Sequence, residues 1–202
     1  MINITNLMKI DLSFNYKEFI GHHTLLFGET NTKKTYYTAK FVQFLIESEH
    51  INPKEISILD FAPPQNVIRD IKIGGKIKDF YNRSIICNNI YYKGKIIPPR
   101  LKAINKKDLY RFACKNFKKT FKILNRFSEN PTPILIVNDI SIYLHVGNKK
   151  LLCNSISKSN TFFGNCYYGK SIQSDFTTLF SLREKRLTEY LIKKVDFSYN
   201  TG

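Results

Sequence analysis

The sequence predicts an α/β domain in three layers, a mostly parallel sheet with helices on both faces. Two stretches and the size of the chain predict it. The stretch His23-Thr24-Leu25-Leu26-Phe27 runs into Gly28 and a polar turn, then into a segment whose apolar residues Tyr37, Phe41, Phe44 and Leu45 recur at helical spacing. A second stretch, Ile134-Leu135-Ile136-Val137, is continuous and apolar, as expected of a strand buried on both faces, and it closes on Asn138 and Asp139. With 202 residues, 43% of them hydrophobic and 14% aromatic, the chain can bury one sizeable core, so 1–202 reads as a single domain.

Taken in order, Met8 to Phe14 alternates polar and apolar residues and suits an edge strand or lead-in segment. Gly21-His22-His23 breaks that pattern, and the two histidines read as turn and strand-start residues because no acid or cysteine stands at ligand spacing. After the first helix, Pro53 marks a turn or helix start. Ile56 to Leu59 is a short buried strand with Asp60 at its carboxyl end, and Pro63-Pro64 stops it. Residues 65–104 read as a loop-rich insertion with a small hairpin, and Ser84 to Cys87 and Ile90 to Tyr92 as short strands.

Asn105 to Phe127 is a helix with Leu109, Phe112, Ala113, Phe117, Phe121 and Leu124 turned inward. Lys107, Arg111, Lys115, Lys118, Lys122 and Arg126 recur on the outside. Pro131-Thr132-Pro133 is a turn, and Thr161 to Gly169 a further strand with a loop at its end. Ser181 and Glu184 form a capping box, with Ser181 as N-cap, for a helix packing Leu187, Tyr190, Leu191 and Val195. Phe197 to Tyr199 adds a last short strand.

The charge is far from balanced: 32 Lys plus Arg against 16 Asp plus Glu leaves +16. Such a chain attracts nucleic acid, anionic membrane surface or nucleotide phosphates. The same richness in Lys, Ile, Asn, Phe and Tyr follows from an AT-rich coding sequence, so the charge informs only where it clusters on one face. The basic row of 105–127 is the candidate polyanion contact, although no aromatic residue interleaves with it to stack bases, which favours a solvated face. No apolar run approaches the ~18 residues of a membrane span and no basic-plus-apolar leader opens the chain, so a cytoplasmic location is expected. Cys87, Cys114, Cys153 and Cys166 form no C-x-x-C pair and are expected to be reduced, not metal-bound.

The chemistry concentrates between 28 and 36. A strand delivering a glycine-started turn into a helix N-terminus gathers free backbone N–H groups and the positive end of a dipole around one point, which suits a phosphate. Gly28, Lys34 and Thr35 take the first, seventh and eighth places of the G-x-x-x-x-G-K-[ST] phosphate loop. Lys33 stands at the sixth, where glycine lets the backbone approach the phosphates. Its side chain either crowds the pocket or swings outward and adds charge. Gly28, Glu29, Thr30, Asn31, Thr32, Lys33, Lys34, Thr35 and Tyr36 are the expected nucleotide contacts. Asp60 and Asp139 stand at strand ends on the edge where open α/β sheets bind ligands.

The run Ile134-Leu135-Ile136-Val137-Asn138-Asp139-Ile140-Ser141-Ile142-Tyr143-Leu144, with the loop and the strand ending at Asp60, resembles the P-loop NTPases of the RecA and KaiC-like branch over roughly half of the chain. The resemblance implies a three-layer P-loop domain and ATP with Mg²⁺ as cofactors. It makes Lys34 a phosphate ligand, Thr35 and Asp139 the Mg²⁺ ligands, and Asp139 the Walker B acid. Asp60 becomes the counterpart of a water-activating acid where a glutamate is usual, and Asn165 either a sensor of the γ-phosphate or a turn-former. The implied activity is a Mg²⁺-dependent ATPase. The alternative is a nucleotide-dependent regulatory or nucleic-acid-binding module with little turnover, which Lys33 favours. Arg183 and Arg186 could face a phosphate of the same chain or of a second copy in a homo-oligomer.

Overall fold

The structure, a computed structural model, describes residues 14–68, 71–172 and 175–202. In chain order, β1 (His23–Gly28) leads to α1 (Lys34–Glu47) and β2 (Ile56–Asp60). An antiparallel hairpin of β3 (Asn66–Ile68) and β4 (Ile71–Ile73) follows, then α2 (Ile77–Phe80), β5 (Asn88–Asn89) and α3 (Pro99–Lys102). The rest is α4 (Lys106–Glu129), β6 (Ile134–Asn138), α5 (Ser141–Leu144), α6 (Lys149–Ile156), β7 (Thr161–Tyr167), α7 (Thr178–Ile192) and β8 (Phe197–Asn200).

Six strands form one sheet in the order β5-β2-β6-β7-β1-β8, and every pairing in it is parallel. Successive side chains of a strand point to opposite faces, so a run that is apolar throughout needs a cover on both. Leu26, Ile56, Ile58, Ile134, Ile136 and Phe163 pack with α1 through Phe41, Val42 and Leu45. Their neighbours Leu25, Phe27, Leu59, Leu135, Val137 and Phe162 pack with α4, α6 and α7 through Leu124, Phe127, Leu152 and Leu191. The expected layering of helix, parallel sheet and helix is what the chain adopts.

Several local expectations are corrected. The Met8 to Phe14 alternation lies outside the described residues except for Phe14, which belongs to no strand. Ser84 to Cys87 is not a strand, because Asn82–Ile86 coils as a 3₁₀ turn, and only Asn88–Asn89 pairs with β2, so Ile90 to Tyr92 is not one either. In α4 the buried face is rotated from the expected stripe: Phe121 is 38% exposed, while Asn116 and Thr120 are fully buried. Burial of these polar residues is satisfied locally. Asn116 binds both backbone groups of Ile97, at 3.1 and 2.6 Å, and Thr120 donates to the Asn116 carbonyl at 3.2 Å.

Ser181 does not cap α7, which begins at Thr178. The Ser181 hydroxyl instead accepts a hydrogen bond from Arg100 Nε at 3.2 Å. Asn165 is no turn residue: it lies buried inside β7. Among the described residues no helix is long and apolar enough to cross a membrane. The rings of Phe41 and Phe163 stack at 4.5 Å between α1 and the sheet. Phe163→Ala should therefore cost about 3–5 kcal/mol in a urea melt.

Candidate functional site

β1 and β7 are neighbours, but the chain leaves β1 for α1 on one face and β7 for α7 on the other. Loops that part in this way open a crevice at the carboxyl edge of a parallel sheet. The 29–33 turn stands on one lip of it. Asn31 and Lys33 both have φ of 61°, the left-handed region. Lys33 thus adopts the backbone shape for which the motif uses glycine, at a cost of about 1–2 kcal/mol, and it is exposed while still lining the crevice.

The Lys34 ammonium folds back into the turn, donating to the carbonyls of Gly28, at 3.0 Å, and Glu29, and to Thr32 Oγ1 at 3.0 Å. Burial pulls its pKa down to about 8, against the attraction of Asp139 and Glu29. Two neighbours brace this turn. The Glu29 carboxylate accepts from Ser171 Oγ at 2.6 Å, from Ser171 N at 3.1 Å and from Lys170 N, tying the turn to the loop after β7. Partial burial acts to raise the Glu29 pKa, but these donors outweigh it and hold the carboxyl below its ordinary value. On the other side Glu29 N donates to the Gly202 carbonyl at 3.1 Å, and a Cβ at Gly28 would meet Thr201 Oγ1 at 2.8 Å.

A buried polar network crosses the strand ends behind the turn. Thr35 Oγ1 donates to Asn138 Oδ1 at 3.1 Å, and Asn165 Nδ2 donates to the same oxygen at 2.9 Å and to Thr38 Oγ1 at 2.8 Å. Asn138 Nδ2 donates onward to Asp60 Oδ1 at 2.9 Å and to the Gly75 carbonyl at 3.0 Å. The Asp60 carboxylate also accepts from Ile77 N at 2.8 Å and Ala62 N at 3.3 Å, with Lys76 Nζ at 3.5 Å. Burial raises its pKa and these partners oppose the rise. Gly74 makes the connecting bend possible: its φ is 74°, and a Cβ there would lie 2.5 Å from the Pro63 and Pro64 carbonyl oxygens.

The expected site residues therefore separate. Lys34, Thr35 and Asp139 line one cavity of about 650 Å³ with Thr30, Asn31, Thr32, Lys33 and Tyr36. Asp60 does not line it. Its oxygens serve the insertion and Asn138, so the role of orienting a water is not one its geometry suits. The hydroxyl of Thr35 meets Asn138 and not Asp139, because β6 ends at Asn138 and the backbone at Asp139 turns away with φ of 57°. Asp139 is the only carboxylate among the described residues lining the cavity. Its pKa rises to about 6, chiefly through burial and also through Asp60, with Lys34 opposing.

The sequence reading missed a second cluster on the same cavity. Arg100, from the Pro98-Pro99 corner, is 5% exposed, pairs with Glu184 of α7, and lies over the rings of Tyr167 and Phe180 at 5.3 and 5.4 Å. His145 Nε2 stands 3.4 Å from the other Glu184 oxygen, and burial together with Arg100 holds this imidazole neutral, well below its usual pKa. Burial likewise lowers Arg100 to about 10. Arg183 is committed elsewhere, donating to the His145 and Gly147 carbonyls at 3.2 and 2.8 Å. The one signal in the sequence was a Pro-Pro-Arg corner ending a long insertion, which fixes no partner.

No protein-family model matches the sequence, and a search of curated proteins finds no relative.

Because the folded chain holds a proton on Asp139 up to about pH 6 while the unfolded chain releases it near 3.8, stability declines as pH rises through that window. Asp139→Asn should flatten this decline and melt higher than the wild type at pH 7, by about 2–4 °C per kcal/mol recovered, in thermal scans across pH. Glu184→Ala strands the buried Arg100 charge and should cost about 3–5 kcal/mol in denaturant titration.

Proposed function

We propose that this chain binds ATP with Mg²⁺ on the 28–36 turn and hydrolyses it slowly, in the manner of a RecA-like P-loop ATPase. The observation that carries the reading is the link from Thr35, at the first turn of α1, to Asn138 at the end of β6, beside the Lys34 ammonium. The sheet supports it. β1 and β6 run parallel with one strand between them, so their carboxyl ends face the same crevice, and the strand between contributes Asn165.

The residues present suit the nucleotide. The Lys34 ammonium is held by backbone carbonyls and a hydroxyl, partners it exchanges for β- and γ-phosphate oxygens at a gain, since bonds between two charged groups are the stronger kind. Lys33, exposed at the loop corner, leaves the N-terminus of α1 open and adds positive charge beside it. The Thr35 hydroxyl and the Asp139 carboxylate are the oxygens suited to hold Mg²⁺, which when bound spreads the charge of the β- and γ-phosphates. Asn138 fixes the Thr35 rotamer, and Asn165 fixes Asn138.

In hydrolysis, a water oxygen attacks the γ-phosphorus, the bond to the β,γ-bridging oxygen breaks, ADP takes that electron pair, and the water proton passes to Asp139 or to solvent. With Asp60 engaged elsewhere, cation holding and water orientation fall on one carboxylate. That division favours binding over turnover, and it keeps the regulatory module with little hydrolysis as the second reading. Calorimetric titration with a non-hydrolysable ATP analogue and Mg²⁺ should give binding that Lys34→Ala weakens at least about tenfold, the loss of one charged hydrogen-bond set. Equal affinity in the two proteins would defeat the proposal, and steady-state phosphate release then separates ATPase from switch.

A further inference from the structure

The fold places next to the basic row of α4 an aromatic strip that sequence order kept apart from it. Tyr91 to Lys95, leaving β5 at the sheet edge, runs along the outer face of the helix. Arg126 Nη1 donates to the Tyr91 carbonyl at 3.1 Å, and Lys122 Nζ donates to the Tyr92 hydroxyl at 3.1 Å and lies 4.7 Å from its ring centre. Lys119 Nζ donates to the Lys95 carbonyl. These contacts hold the strip by two backbone carbonyls and the Tyr92 hydroxyl and leave the Tyr91 side chain outside them: that residue is 73% exposed. A groove opens beneath it, with the amides of Asn88 and Asn130, the cations of Lys93 and Arg126, and a single acid among the described lining residues, Glu129.

We infer that this groove binds single-stranded nucleic acid, with the Tyr91 ring as a stacking platform for one base and Lys93, Lys122 and Arg126 following the phosphates. Unpaired strands are recognised by this pairing of a cationic track with aromatic faces. The stacking needs a base whose face is uncovered, which a duplex does not offer along its length. Asn88 Nδ2 is engaged by Ser57 Oγ at 2.8 Å, so the Asn130 amide is the group that can donate to and accept from base edges without a fixed sequence preference. The groove is remote from the 28–36 turn: β5 is four strands from β1, about 19 Å at ordinary strand spacing. Occupancy therefore needs no ATP.

The test is fluorescence anisotropy of a labelled oligothymidylate of about 15 nucleotides, with the full chain, without nucleotide, over a series of salt concentrations. Tyr91→Ala should weaken binding about five- to a hundredfold with an unchanged salt slope, and Tyr91→Trp should restore it. Lys93→Ala should weaken binding and make the slope shallower by about 0.7, the release of one counterion on a single strand. Both side chains are exposed, so the variants keep the fold, as thermal melts would verify. Wild-type affinity in Tyr91→Ala overturns the inference. So does a duplex of the same length binding as tightly as the single strand, or anionic lipid vesicles displacing the oligonucleotide. Since no ATP is present, none of these results depends on the nucleotide site.

Discussion

Asn138 spends its whole side chain on its neighbours: the carbonyl oxygen takes hydrogens from Thr35 and Asn165, and the amide gives hydrogens to Asp60 and to the Gly75 backbone. Through this one residue the ends of β2, β6 and β7 are held in register with the first turn of α1 and with the bend that opens the insertion. An apolar side chain there could pack, but it would strand a hydroxyl, an amide and a carboxylate away from water. Fully satisfied polar groups in a low-dielectric interior hold a single arrangement, and half-satisfied ones are costly. The position of the 28–36 turn relative to the rest of the sheet follows from that arrangement.

Around the network, charge is handled by pairing. The Lys34 ammonium has carbonyls and Asp139 near it, and Arg100 has Glu184 with a neutral imidazole alongside. Each ion leaves water only where an opposing group offsets the desolvation. At Asp139 the desolvation outweighs the opposing charge of Lys34, and the carboxyl holds its proton to about pH 6. A desolvated acid aimed into a cavity beside a lysine is the sort of group that costs stability and marks a site of chemistry.

The architecture was readable because its signals are local. Continuous apolar runs announce strands covered on both faces, and Gly28, Lys34 and Thr35 sit within one turn of chain, so the strand, turn and helix could be placed from 23 to 47. What was not readable depends on partners far apart in sequence. A polar pair after four apolar residues does not say which member ends the strand, so Asp139 was expected where Asn138 stands. Asp60 looked like a free acid because its partners Ile77 and Lys76 lie in the insertion. Glu184 looked like a cap because Arg100 is 84 positions away by number. The aromatic strip beside α4 was invisible for the same reason: Tyr91 and Arg126 meet only in three dimensions.

The amide at 138 and the acid at 60 are a matched set. A carboxylate in place of Asn138 would put two negative oxygens at the 2.9 Å now bridged by an N–H, and one of them would have to stay protonated or move. An ionised acid at 138 would therefore fit only with the charge at 60 removed, and with it the carboxylate that holds the chain at Lys76 and Ile77. The two positions are coupled through that one hydrogen bond, so a change of charge at either is felt at the other.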